Sequence, residues 1–153
     1  MSARRRIAQV GVEMITKLSE EESFALLRSR RLARLACIAD GEPYVVPVNY
    51  VCDDISIIVH SLPGTKIDAM RSNPRVCVQI DEIKDQFNWA SVLAFGNYKE
   101  MISGAARERA MALLLAGFPD LTPVESVIAR DAGAPAPVIF RVLIDRVTGM
   151  REG

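Results

Sequence analysis

Between His60 and Lys66 the chain reads His-Ser-Leu-Pro-Gly-Thr-Lys, placing an imidazole, two hydroxyls, a flexible glycine and an ammonium within seven residues where a strand gives way to a helix. Ser61, the Gly64 backbone, Thr65 and Lys66 converging on a helix N-terminus make an environment suited to a phosphate. An ordinary strand-to-helix turn with a surface lysine would read the same way. The spacing does not fit Gly-x-x-x-x-Gly-Lys-[Ser/Thr], so this is no nucleoside-triphosphate loop. His60, the only histidine, titrates near neutrality by its ordinary value and is the sole candidate for moving a proton; a histidine at a strand end serves equally as a structural hydrogen-bond donor.

The second unusual stretch is Pro43-Tyr-Val-Val-Pro-Val-Asn-Tyr50. It reads as a strand, yet Pro47 has no N–H to give a ladder, so something other than a neighbouring strand can lie beside its backbone. A planar heteroaromatic edge suits such a main chain, which offers donors and acceptors at fixed spacing. The alternative is an edge strand that uses proline to block aggregation. Trp89-Ala-Ser-Val92 supplies an aromatic plane and a hydroxyl at the start of another strand, to line a ring or simply to fill a core. No paired carboxylates and no Ser/His/Asp order stand out, which disfavours glycosidase and hydrolase chemistry.

The elements that position these groups follow from the patterning. Ser19-Glu-Glu-Glu22 opens a helix over Glu20 to Arg30, with acids at the positive end of its dipole and arginines at the other. Branched, aromatic runs then give strands at Leu35 to Ala39, Tyr44 to Cys52 and Ile55 to Ser61, with a tight reversal at Asp40-Gly41 and a weaker one at Asp53-Asp54. A short helix over Lys66 to Arg71 ends at Ser72-Asn73-Pro74, and strands follow at Val76 to Ile80 and Trp89 to Ile102. Gly96 inside the longer one marks a bend or bulge at which a sheet curls. Ala105 to Ala116 is helical, with Met111, Leu114 and Leu115 along one side. Asp120 to Pro137 is an irregular excursion with a helical turn near Glu125, and Val138 to Val147 alternates as a final strand. Six strands with helices early, midway and late fit an antiparallel sheet closed into a small barrel; no Gly-x-Gly-x-x-Gly follows a strand, against a dinucleotide-binding α/β fold.

The chain has 153 residues, half of them hydrophobic, enough for one core: an N-terminal arm over 1–18 and a single domain over 19–153. Lys plus Arg equals Asp plus Glu at 19 each, so no net field draws nucleic acid or an anionic membrane. Cys37, Cys52 and Cys77 are too scattered for a zinc site and read as reduced core residues. No apolar run is long enough to span a bilayer or act as a signal peptide, so the expected location is the cytoplasm. Arg4 to Arg6 reads as a solvated chain start or a basic arm.

Taken together, Arg34 to Tyr50, Ile58-Val-His-Ser61, Gly64-Thr-Lys66, Asn73-Pro-Arg-Val-Cys77 and Trp89-Ala-Ser-Val92 resemble the pyridoxamine 5′-phosphate oxidase-like flavin-binding family, nearest its nitroimidazole-reductase-like branch. The likeness runs from about residue 19 to 118. It implies a mainly β fold, a six-stranded antiparallel split β-barrel of the FMN-binding type. It further implies a homodimer with FMN (flavin mononucleotide) in two interfacial clefts. Carried over by position, the backbone of Val46, Pro47, Val48, Asn49 and Tyr50 lines the isoalloxazine; His60, Ser61 and Lys66 approach the phosphate; and Trp89, Ser91 and Val92 finish the pocket, from the same chain or the partner. The implied activity is an FMN-dependent oxidoreductase that passes electrons from a reduced nicotinamide to a small organic acceptor such as a nitro compound or quinone.

Departures from the family pattern are Thr65 where a second basic residue is common, Ala33 where a glycine is common, and no closing segment rich in substrate-binding Arg and His. The last argues against vitamin B6 oxidation. A non-enzymatic flavin carrier or redox sensor, and a deazaflavin- or haem-binding barrel, are the rival readings.

Overall fold

The computed structural model describes residues 15–119 and 136–153. The expected excursion over Asp120 to Pro137 lies almost wholly outside them, as does the Arg4 to Arg6 segment.

In chain order the elements are β1 (Ile15–Leu18), α1 (Glu20–Ser29), β2 (Leu32–Ala39), β3 (Glu42–Cys52), β4 (Ser56–Ser61), α2 (Thr65–Ser72), β5 (Arg75–Asp85), β6 (Asn88–Glu100), α3 (Ala105–Gly117) and β7 (Val138–Glu152). All strand pairings are antiparallel. The sheet runs β1-β7-β4-β3-β2-β5-β6, and β6 also pairs with β7, so the six strands expected from the sequence close into a ring. β1 is a seventh strand in the segment read as an arm, and it corrects the count of six. It pairs with the end of β7, Leu18 opposite Gly149, and β7 itself runs to Glu152 rather than stopping at Val147. Four residues with three of them exposed leave no alternation to read, and the pairing alone defines the strand.

Local chemistry explains the reversals and the closure. Asp40 and Gly41 take φ of 51° and 79°, the paired left-handed conformation of a two-residue hairpin, which sets β2 against β3 from Ala39–Glu42 through Leu32–Asn49. At Gly96 the β6–β7 register shifts, and the backbones approach so closely that a Cβ there would lie 2.1 Å from the Leu143 carbonyl oxygen. A larger residue would hold β6 and β7 apart, so the bend read from this glycine is where the barrel closes.

Inside the ring, Leu35, Tyr50, Ile57, Val59, Val78, Ile80, Val92, Ala94, Phe140 and Val142 are buried, joined by Leu27 from α1 and by Ile67 and Met70 from α2. α1 begins with a full capping box: the Glu22 N–H donates to Ser19 Oγ at 3.0 Å and the Ser19 N–H to Glu22 Oε1 at 3.1 Å. It is tied to the barrel by Tyr50, whose hydroxyl donates to the Leu27 carbonyl at 2.5 Å. α3 packs outside, Ala110 and Leu114 against Val51, Ile58 and Ile139, so β4 is covered on both faces. Met111 and Leu114 fall on the packed side as expected, together with Ala110, whereas Leu115 is not part of that cluster.

Candidate functional site

β3 is paired unevenly. Along one edge β2 runs past both prolines without a break, Ile38 opposite Pro43 and Arg34 opposite Pro47; along the other, β4 joins only from Tyr50 to Cys52. The Tyr50 N–H donates toward β2, to the Arg31 carbonyl at 2.9 Å. Alternation along an antiparallel ladder then turns the backbone groups of residues 43, 45, 47 and 49 away from β2. The ladder to β2 therefore runs past Pro47 unbroken, and its missing N–H belongs to the edge where no strand sits. Two prolines at alternate positions of that edge leave carbonyls and few donors, unsuitable for another strand and open to something else.

That edge borders a cleft of about 350 Å³ lined by Pro47, Val48, Asn49, His60, Ser61, Leu62, Lys66, Leu114 and Phe118. The proline strand and the lysine-bearing turn thus share one hollow. Its strand wall is the end of β3 beside the end of β4, and its helical side is the first turn of α2. α2 has Gly64 in its N-cap position and no side-chain cap hydrogen bond, in contrast to α1, so among the described residues its leading N–H groups have no capping side chain. Lys66 is half-buried, and burial lowers its pKa from the ordinary value, with the nearby Cys37 acting weakly in the opposite sense. None of the ion pairs among the described residues uses it. A cation partly stripped of water and lacking a carboxylate partner beside bare helix amides is electrostatically prepared for an anion.

The Ser61 hydroxyl donates to the Leu62 carbonyl at 2.9 Å, leaving its lone pairs to the cleft. The side chain of Val46 is half-buried against the core and that of Tyr50 is fully buried inside the barrel, and neither is among the residues lining the hollow, whereas Val48 on the same inward face borders it. Trp89, Ser91 and Val92 do not finish the cleft within one chain. Val92 is a core residue, Ser91 accepts from Gln79 Nε2 at 3.2 Å, and Trp89 donates to Glu152 Oε2 at 2.8 Å beside a separate hollow of about 230 Å³ that includes Lys84 and Arg151. Conversely, Leu62, Leu114 and Phe118 line the cleft without any mark of it in residue type or spacing. Phe118 closes α3, its N–H donating to the Leu114 carbonyl at 2.7 Å; the helix was legible, but which strands it packs on is a long-range fact. Among the described residues no group of His, Cys, Asp or Glu is arranged to hold a metal ion, and no helix is long and apolar enough to cross a membrane.

Comparison with known proteins agrees with this architecture. An uncharacterized protein of Rhizobium meliloti, RA0666, is 39% identical over 141 residues, covering 86% of this chain and 91% of that one. The crystal structure of a FAD-binding protein from Mesorhizobium loti shares 36% identity with a TM-score of 0.73, over 91% of this chain and 97% of the other. A FAD-binding protein of Mycobacterium smegmatis, 22% identical, has the same fold at a TM-score of 0.66 over 90% of this chain and all of its own. The family profile described as pyridoxamine 5′-phosphate oxidase matches residues 19–151, most of the domain and every strand of the ring, and the chain belongs to that family.

Proposed function

We propose that the chain is a flavin-binding oxidoreductase that holds a riboflavin phosphate in the cleft between β3 and α2. The observation that carries this reading is the meeting, in one hollow, of an open main-chain edge at Pro47–Asn49 with a half-buried Lys66 that makes no ion pair among the described residues. A flat ring with donors and acceptors along its rim and a single dianionic phosphate at its far end matches the two walls. The volume of about 350 Å³ suits one such group. FMN is the smallest ligand with both parts, and the FAD-binding relative from Mesorhizobium loti supports flavin as the cofactor class.

Flavin, when bound, supplies the chemistry by which reducing equivalents from a nicotinamide reach a small acceptor, a nitro compound or quinone. The protein's own residues bind and orient. The β3 carbonyls fix the ring edge, and Lys66 with the first α2 amides holds the phosphate. His60 hydrogen-bonds the ligand, and Leu62, Leu114 and Phe118 exclude water from one side. The outer faces of β2 and β3 support a homodimer around the cleft. Leu32, Val45 and Ile38 are 61%, 59% and 40% exposed, and Pro43, Pro47 and Ala36 share their face in register, a mainly apolar surface, with Asn49 and the Asp81-paired Arg34 on it, that a second copy would cover.

The test is the identity and reactivity of the bound chromophore. Purified full-length protein should be yellow and release flavin on denaturation, and under anaerobic conditions a reduced nicotinamide should bleach it. Flavin without bleaching, and without turnover of any acceptor, would make it a carrier. A colourless protein with no flavin affinity, or one that binds haem instead, would overturn the reading.

A further inference from the structure

α2 starts beyond the end of β4 and finishes against the end of β6, and its two ends are held differently. The first turn, with Lys66, has no capping side-chain hydrogen bond. The last turn is tied to the barrel: Arg71 Nε donates at 2.9 Å to Oε1 of Glu100, the final residue of β6, and the Tyr98 hydroxyl donates to the same oxygen at 2.5 Å. Tyr98 is itself fixed, its ring centroid 5.0 Å from that of the buried Phe140 and its N–H donating at 2.7 Å to the carbonyl of Pro74, just beyond the helix. The hydrogen bonds from Arg71 and then Tyr98 hold the Glu100 carboxyl below the usual carboxylate range, so this clamp is charged at neutral pH.

We propose that Arg71, Glu100 and Tyr98 are positioning residues for the phosphate, setting the direction of α2 so that Lys66 and the first helix amides meet it. The inference rests on the flavin reading above and adds to it three residues outside the cleft, none of which lines it. Ile67 and Met70 are fully buried and set how deep α2 sits on the core. Burial is non-directional, so two apolar side chains less than one turn apart fix depth without fixing where the helix points. A hydrogen-bonded ion pair at the far end supplies that direction, because it holds only over a narrow range of distance and angle. Lys66 and Arg71 are five residues apart, about 7.5 Å along the axis, and a rigid helix carries a swing at one end to the other. With no cap on its first turn, the phosphate end takes its place from the clamped end.

The test measures FMN and riboflavin binding to full-length apoprotein by quenching of flavin fluorescence, for the wild type, Arg71→Met, Glu100→Ala and the double variant. Each single variant should weaken FMN about fivefold, the upper end for a partly exposed ion pair, and leave riboflavin within about twofold. The double variant should lose no more than either single one, because the two residues act as a unit. Riboflavin bound as by the wild type also shows that the variants fold. The sign for Glu100→Ala separates position from charge: by Coulomb's law alone, removing a carboxylate would tighten the binding of a dianion. Tighter or unchanged FMN binding by Glu100→Ala, additive losses in the double variant, or an equal loss for riboflavin would each overturn the positioning role while the flavin cleft stands. A wild type that binds neither ligand would overturn the flavin reading, and this inference with it.

Discussion

Replacing Lys66 by Met separates what this residue does for the fold from what it does for a ligand. Methionine keeps the unbranched stem and removes the charge. In the ligand-free protein the ammonium is half-buried, makes none of the ion pairs among the described residues, and has its pKa pushed down by desolvation. A lysine whose folded-state pKa lies below its unfolded value costs stability at every pH below the folded value, neutral pH included. That cost fades as the pH rises through the unfolded value, ordinarily 10.5. Lys66→Met should therefore leave the apoprotein's Tm at pH 7 unchanged or raise it. Ligand binding should respond in the opposite way. A charge-assisted hydrogen bond to phosphate contributes about 1.5 to 3 kcal/mol, so FMN affinity should fall about 10- to 150-fold. Riboflavin, which has the ring and no phosphate, serves as the control, and its affinity should be the same for both proteins. Isothermal titration of the two ligands into the two apoproteins, with a thermal melt of each, measures all of this. FMN affinity that survives the substitution refutes the phosphate role. An equal loss for riboflavin would mean that the lysine only shapes the cleft.

Three further outcomes follow from the fold. Gly96→Ala puts a Cβ 2.1 Å from the Leu143 carbonyl oxygen and should destabilise the protein by about 3 kcal/mol or more in urea unfolding; a near-neutral effect would show that the ring does not close there. The carboxyls of Glu22, held by the Ser19 N–H and hydroxyl, Asp85, held by the Phe87 N–H, Glu100, held by Arg71, and Asp145, held by Arg75, all lie below their ordinary pKa values. Their stabilisation is complete above the unfolded values and is lost as pH falls through the folded ones. Tm should be level from pH 7 to about 5 and decline below about 4.5, and a decline that begins near neutrality would contradict this assignment. Burial raises the pKa of all three cysteines, that of Cys52 to about 12, so a thiol reagent at pH 8 should label them slowly until denaturant is added; one fast thiol would contradict it.

What the sequence disclosed was local. Ser19 and Glu22 mark a helix start wherever they fall before an apolar run, and Asp40-Gly41 selects its turn because few residues take positive φ. The six ring strands carry their own alternation or branched runs, and Gly96 signals a bend. The pairing of Ile15–Leu18 with β7 carries no such mark, since a short exposed strand has no pattern of its own. The same division runs through the site. Pro47, His60 and Lys66 stand out by residue type, and the structure brings them to one cleft. Leu114 and Phe118 reach it only because α3 folds back over β4, which no spacing within the helix discloses. Trp89, Ser91 and Val92 were grouped with the cleft through resemblance to a family, and in the single chain they lie with β5 and β7 instead. For Val46 and Tyr50 the expectation concerned the backbone; their side chains turn into the barrel, as the period of two in a strand requires.

The most direct measurement is the crystal structure of the full-length protein soaked with or grown from FMN. The phosphate should lie against Lys66 and the first amides of α2, and the isoalloxazine edge along the backbone of Pro47 to Asn49. A flavin bound elsewhere, or one in this cleft with its phosphate turned away from Lys66, would contradict the assignment of one ligand to both walls.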